Sequence, residues 1–343
     1  MALILGLESS CDDSAAALVD SDRRILAHAV VSQNDAHLPF GGVVPEIAAR
    51  AHVEILPPLI RQVLGEAGVG VGDLDAIAAT AGPGLIGGVM VALLAGKGLA
   101  LATGKPLIAV NHLEGHALSP RLVDPELDFP YLLLLVSGGH SQLLEVAGVG
   151  RYRRLATTID DAVGEAFDKA AKLLGLDYPG GPALEALAAE GDAKAVPLPR
   201  PLLGSPEPHF SFAGLKSAVQ RAVASGAHRP EDVAASFQQA VIDCLVDRTG
   251  RALQSSDAPA LVVAGGVAAN RSIRLALASL AEKDGRRFTV PPGWLCTDNA
   301  AMIAWAGAER LAAGLTDALD APARARWPLD ERAEKVRGAG VKA

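Results

Sequence analysis

Two histidines four residues apart, His112 and His116, stand in the segment VNHLEGHALSP. A helix turns about 100° per residue, so positions i and i+4 lie about 40° apart and both imidazoles can reach one ion. Glu114, between them, falls about 200° from His112, on the far side of such a helix. A zinc peptidase of the H-E-x-x-H kind places its glutamate directly after the first histidine, within reach of the metal-bound water. The pair therefore reads as metal ligands without a hydrolytic base, with a buried structural histidine pair as the alternative. A third ligand is on offer in CTDNAAMIA, where Asp298 follows a strand and precedes a helix. An Asp at that place is most often a helix N-cap, and it ligates an ion only if its side chain turns outward. Two imidazoles and one carboxylate leave coordination positions open, which suits iron or zinc holding an exchangeable ligand.

A second group of residues points to phosphate. LVSGGHSQL puts Ser137, Gly138 and Gly139 between two strands, YPGGPALEAL puts Gly180 and Gly181 at a helix start, and VVAGGVAANRSI ends a strand with Gly265 and Gly266 before Asn270 opens a helix. Free backbone N–H groups and close approach suit a phosphate at each, although a strand-to-helix turn wants glycine anyway. The loop ESSCDDS carries Glu8, Asp12 and Asp13. Asp is a common turn former, but two adjacent carboxylates after a buried strand can also supply a general base. In EAFDKAAKLLG, Lys169 and Lys172 share a helical face with Glu165 and Asp168, an ordinary surface pairing; Asp168 could equally take a ribose hydroxyl.

These loops need a frame. Apolar runs and turns predict a three-stranded meander over LILGLESS, AAALVD and ILAHAVVSQ, then a helix interrupted at Pro57 and Pro58, then the strand LDAIAATAG. The apolar stretch LIGGVMVALLAGKGLALATG, broken by Lys97 and five glycines, is read as a buried helix and not a membrane span. A second meander starts at YLLLLVSGGH. Setting Ser137 on Ser9 gives an offset of 128 residues, with strand, serine turn and return strand in each copy, which points to duplication and a cleft between like lobes. Strand and helix alternate, so the class is α/β. The Pro-rich PLPRPLLGSPEPHFSFAG is read as an exposed insertion.

With a formal charge of −8, the chain is not expected to hold a polyanion by its own surface alone. RYRR at 151–154 and the tail residues Arg332, Lys335, Arg337 and Lys342 are the local exceptions. Cys11, Cys244 and Cys296 are too far apart to read as a disulfide framework, and the N-terminus lacks the basic start of a signal peptide, so a reducing cytoplasm is expected.

The motifs ILGLESSCDDS, GGVVPE, TAGPGL, NHLEGH, LLVSGGH, GEAFDKAAKLLGLDYPGGP, FSFAGLK, AGGVAANR, CTDNAAMIA and RARWPLDE occur in this order. Over about residues 2–331 the chain thereby resembles the TsaD family, bacterial tRNA threonylcarbamoyladenosine transferases once described as O-sialoglycoprotein endopeptidases. The resemblance implies the α/β fold of actin-like ATPases and sugar kinases (the ASKHA fold), with two duplicated lobes. These would be residues 1–130 with a returning helix at about 299–326, residues 131–298 with a helical insertion at about 160–235, and a tail from 327 to 343. It implies one divalent ion per subunit, iron before zinc or magnesium, on His112, His116 and Asp298. Adenylate binding is implied for Leu135, Val136, Ser137, Gly138, Gly139, Asp168, Gly181 and Asn270, and Asp12 matches an acidic position implicated in activity. The chain departs from the family at Asp13, where many members carry Glu.

The activity implied is transfer of threonylcarbamoyl from its adenylate to the exocyclic amine of an adenosine in tRNA. The implied partners are tRNA, threonylcarbamoyl adenylate, a shorter actin-fold paralogue (TsaB-like) and a small P-loop ATPase (TsaE-like), with no membrane. The rival expectations are a metallopeptidase, a sugar kinase or ATPase of the same fold, and a scaffold that only dimerises with an active paralogue.

Overall fold

A computed structural model describes residues 1–40, 42–177, 179–334 and 336. Lys335, Arg337 and Lys342 of the basic tail lie outside the described residues. The chain divides into two compact units, one of Met1–Asp128, Gly148–Arg151 and Thr297–Glu331, the other of Phe129–Ala147, Tyr152–Cys296 and the described residues from Arg332 on.

In the first unit, β1 (Leu3–Glu8), β2 (Asp13–Asp20) and β3 (Ile25–Ser32) form the meander, followed by α1 (Asn34–His37), α2 (Pro45–Ala67), β4 (Ala76–Gly82), α3 (Ile86–Thr103), β5 (Leu107–Asn111) and α4 (His112–Val123). The sheet order is β3-β2-β1-β4-β5, with β1, β4 and β5 parallel and β1, β2 and β3 antiparallel. Strands β1 and β4 are buried along their whole length, as expected of interior strands covered on both faces, which read as unbroken apolar runs. Helices α2 and α3 supply much of that cover, packing Leu56, Leu59, Val63, Ala92 and Ala100 against Leu5, Leu7, Ile77 and Ala79.

Two sequence expectations change here. Pro57 and Pro58 do not interrupt α2, which runs through them. Each proline removes one N–H from the ladder, and both sit on the exposed side of the helix, where water can satisfy the freed carbonyls. Helix α3, apolar enough for a membrane span by length and composition, is only one-third buried. It packs Gly96 onto Ala79 and leaves Ile86, Met90, Leu94 and Leu101 exposed.

The second unit contains β6 (Tyr131–Val136), β7 (Ser141–Gly148), β8 (Arg151–Thr157), α5 (Val163–Leu173), α6 (Gly180–Ala188), α7 (Ala213–Ser225), α8 (Pro230–Gln254), β9 (Ala260–Ala264), α9 (Arg271–Lys283), β10 (Arg287–Thr289) and α10 (Gly293–Cys296). Its sheet order, β10-β9-β6-β7-β8, matches that of the first. The Pro-rich segment departs from expectation in part: much of it is exposed, but Leu198, Phe210 and Phe212 are buried in the core of this unit. Beneath the segment, the buried Arg248 donates to the carbonyls of Leu202, Ser205 and Glu207. A guanidinium has enough donors to tie three carbonyls of irregular chain together, which apolar contacts alone would not orient.

The last helix, α11 (Ala300–Ala312), packs on the first sheet. It comes so close that a Cβ on Gly6 of β1 would lie 2.3 Å from the Ala300 carbonyl, and one on Gly307 would lie 2.5 Å from Ala78 Cβ. The small residues of α11 thus set how near its N-terminus, and the residues before it, come to the end of β1. Beyond it, Asn111 donates to the carbonyl of Trp327.

Candidate metal centre

Within the first unit, β1 ends at Glu8, β5 ends at Asn111 and α4 starts immediately with His112. The carboxyl ends of parallel strands are where loops of an open α/β sheet converge. Asn111 caps α4 by accepting from the Leu113 N–H at 2.9 Å, so the first turn begins without a linker and His112 and His116 share a face. Their rings meet edge-on with centroids 4.8 Å apart.

Asp298 completes the set. Its Oδ1 lies 3.1 Å from His116 Nε2 and 3.4 Å from His112 Nε2, and one donor atom from each of the three residues lies within 4.8 Å of the others. The cap of α11 is Asn299, which accepts from Met302 N–H at 2.9 Å, and this frees the Asp298 carboxylate for the histidines. His116 is fully buried and His112 nearly so, while Asp298 keeps 24% of its side chain exposed, an open side toward solvent.

The electrostatics reflect burial working against charge. Burial lowers the pKa of His116, and the Asp298 hydrogen bond only partly offsets it, which favours the neutral imidazole. Burial acts the same way on His112, but the Asp298 and Glu8 carboxylates outweigh it and raise its pKa well above the usual range. Burial would raise Asp298, but the two histidines overcome it and hold its pKa far down.

A cation fits these donors. His116 Nδ1 is buried with no hydrogen-bond partner. If the proton sits on Nδ1, the Nε2 lone pair points at a carboxylate oxygen; if it sits on Nε2, the Nδ1 lone pair is the orphan. A cation accepting the Nε2 lone pair removes the first conflict, and a two-imidazole, one-carboxylate set suits a divalent transition metal.

Glu114 is elsewhere. Its carboxylate accepts from Arg310 Nη1 and from the Gly150 N–H, each at 3.0 Å. An acid committed to a partly buried guanidinium does not serve as base to a metal-bound water, and the peptidase expectation loses its key residue.

Asp12 is partly exposed before β2, hydrogen-bonded by the Cys11 thiol. Burial and the charges of Asp298 and Asp12 push the neighbouring Asp13 up to about 7. Glu8, noted in the sequence without a role, has no exposure and lies 3.0 Å from His112 Nδ1. The available signal was an acid closing an apolar strand, a residue seldom buried unless paired.

The implied adenylate-binding residues all fall in the second unit. Leu135 and Val136 are buried in β6 and offer backbone only. The turn after β6 is held by Ser137 N–H donating to the His140 carbonyl at 2.8 Å and Gly164 N–H donating to the Ser137 carbonyl at 3.3 Å. Gly138, Gly139 and Gly181 have open space where a Cβ would be and none has a left-handed φ, so the fold does not itself require glycine there. Gly164, Gly180 and Gly265 differ: a Cβ would meet Ser137 O at 2.6 Å, Ala171 Cβ at 2.5 Å and Val136 O at 2.4 Å. Asp168 Oδ1 accepts from the Gly180 N–H at 3.0 Å. Asn270 caps α9 through Ile273 N–H and donates to Gln238, so its side chain already serves the fold.

The sequence model of the TsaD family, described as tRNA N6-adenosine threonylcarbamoyltransferase, matches residues 24–305. The chain belongs to the TsaD family. A tRNA N6-adenosine threonylcarbamoyltransferase of Sphingopyxis alaskensis is 74% identical over 344 residues, covering 100% of both chains. The protein of the same name from Erythrobacter litoralis is 69% identical over 344 residues, again with 100% of both covered. Among solved structures, HypF of T. kodakarensis superposes with a TM-score of 0.61 at 16% identity, over 91% of this chain and 48% of that one. Component A of the Acidaminococcus fermentans (R)-2-hydroxyglutaryl-CoA dehydratase gives 0.56 at 18%, over 91% of this chain and 100% of that one. These likenesses carry the fold, which is that of the actin-like ATPases, to this TsaD chain.

Proposed function

We propose that this chain transfers the threonylcarbamoyl group from threonylcarbamoyl adenylate to the exocyclic amine of the adenosine beside the anticodon, in tRNAs reading codons that begin with A. A bond forms between the amine nitrogen and the carbamoyl carbon, the bond from that carbon to the phosphate oxygen breaks, AMP leaves, and the amine gives up one proton. The observation that carries the reading is membership of the TsaD family over residues 24–305, together with the convergence of His112, His116 and Asp298.

His112, His116 and Asp298 are the residues to hold a divalent ion, iron in first place, and such an ion supplies positive charge to a leaving or polarised oxygen. Asp12 accepts the proton of the amine, a poor nucleophile that gains from a nearby base. From the second unit, the N–H groups of Gly138 and Gly139, in the turn that the Ser137 N–H holds closed, take the phosphate, and the open faces of both glycines support this role.

An acidic chain, of net charge −8, needs help with a polyanion. A TsaB-like paralogue and a TsaE-like ATPase supply it, with a separate enzyme making the adenylate, in the cytoplasm where tRNA is matured. The test is nucleoside mass spectrometry on unmodified tRNA incubated with this chain, both partners and pre-made adenylate. Modified adenosine is expected with the native chain and not with His112→Ala. Its absence in both, with partners known to be competent, ends the transferase reading.

A further inference from the structure

Glu8 is an unusual residue to close a strand, because the five residues before it in β1 are apolar or glycine and all are buried. Its own exposure is zero. The carboxylate accepts from the Ser10 N–H and from Thr80 Oγ1, each at 2.6 Å, and its Oε2 lies 3.0 Å from His112 Nδ1. Among the described residues, the basic group it faces is His112.

The partners of His112 decide where its proton sits. Nδ1 has Glu8 Oε2 at 3.0 Å and Ser10 Oγ at 3.0 Å. Were Nδ1 bare, its lone pair would point at a carboxylate oxygen, a repulsive contact inside a buried site. A proton on Nδ1 makes the same contact a charge-assisted hydrogen bond, with the serine oxygen as second acceptor. On the opposite edge of the ring, Nε2 faces Asp298 Oδ1 at 3.4 Å.

We infer that Glu8 is the positioning residue of the metal centre: it holds the His112 ring with a proton on Nδ1 and so turns the Nε2 lone pair toward a divalent cation. The inference rests on the metal reading above. Carboxylates behind metal-bound histidines fix both tautomer and ring orientation, and losing one typically weakens metal binding about ten- to a hundredfold. In Glu8→Gln the amide oxygen can still take the Ser10 N–H, but the amide nitrogen then meets Thr80 and His112 as a donor. A donor opposite Nδ1 drives the imidazole proton to Nε2, the atom the ion needs. The expected loss therefore arises from the tautomer, in a side chain of unchanged length.

The test is zinc affinity of the full-length native chain, Glu8→Gln and Ser9→Ala, by competition with a chromophoric chelator, with cobalt spectra of each. Ser9→Ala is the control: it costs the same loop two buried hydrogen bonds, to the Gly88 carbonyl and from the Ala92 N–H, and leaves the side chains of Glu8 and His112 their hydrogen bonds. The expectation is a ten- to hundredfold weaker zinc complex and a shifted cobalt band for Glu8→Gln, with Ser9→Ala like the native chain. Equal affinity in Glu8→Gln, or an equal loss in Ser9→Ala, overturns the inference and leaves the metal reading standing. A native chain that binds neither zinc nor cobalt sinks the metal reading itself. Should Glu8→Gln not fold, nitrogen-15 spectra of the zinc-loaded native imidazoles decide: a proton on His112 Nδ1 supports the inference and a proton on Nε2 overturns it.

Discussion

Leu3–Glu8 and Asp13–Asp20 of the first sheet stand 128 residues before Tyr131–Val136 and Ser141–Gly148 of the second, strand bound for strand bound. Both pairs are antiparallel, but their registers differ by two residues: Glu8 faces Ala15 in one, whereas Val136 faces Ser141, the counterpart of Asp13, in the other. The two frames part at the residues that close the strands. The first sheet ends β1 on an acid and runs β5 straight into His112. The second ends β6 on Val136 and runs β10 into Val290–Pro292 and the short α10, where no histidine or carboxylate stands. After β6 come Ser137, Gly138 and Gly139, a turn with little side-chain chemistry and open backbone. On the proposed reading, one frame, used twice, carries side-chain chemistry in one copy and backbone chemistry in the other.

Removing a ligand tests that division most severely. His116→Ala should abolish metal retention and lower threonylcarbamoyl transfer on the order of a thousandfold, whereas Gly139→Ala should keep its full metal content. Metal analysis beside nucleoside mass spectrometry reads both, and a metal-free Gly139→Ala protein would break the comparison.

Next comes the difference between glycines the fold needs and glycines it does not. Gly265 has φ +93° and lies 2.4 Å, at the Cβ position, from the Val136 carbonyl. Gly265→Ala should cost about 3 kcal/mol of stability, while Gly139→Ala should unfold like the native chain yet bind adenylate about tenfold more weakly. Denaturant titration and ligand binding separate the two effects.

Glu114→Ala leaves the partly buried Arg310 with Asp317 at 3.7 Å and should cost about 2 kcal/mol with metal content intact. Loss of metal in this variant would restore Glu114 to the site and reopen the peptidase reading.

The smallest effect concerns pH. Asp13 stands at about 7 when folded and near 4 when unfolded, so the folded state keeps the proton that the unfolded chain releases. In metal-free protein stability should therefore fall as pH rises from about 4 to about 7. Asp13→Asn should flatten that slope in denaturant melts at pH 5 and pH 7.5, and an unchanged slope would remove Asp13 as its cause.

Much of the frame was legible because local pattern encodes it. The apolar runs of β1 and β4 need cover on both faces, and the 128-residue offset found from two serines reappears in the strand bounds. The misread helices failed for a common reason: period reports which faces differ, not what covers them. Pro57 and Pro58 are tolerated because water can reach their side of α2, and α3 keeps apolar residues exposed although its composition is that of a core helix.

For the centre itself, the sequence by itself determined the donor types and put His112 and His116 on one helical face, since four residues make about one turn. It could offer Asp298 but not decide between ligand and cap, and it gave Glu8 no partner. Tertiary structure decided both. Asn299 took the cap, and α11 settled onto Gly6 closely enough to bring Asp298 to a histidine 182 positions earlier in the chain. Local spacing fixes which side chains can point together, but convergence of distant segments depends on how closely backbones pack, and here that closeness was set by small residues whose own chemistry is silent.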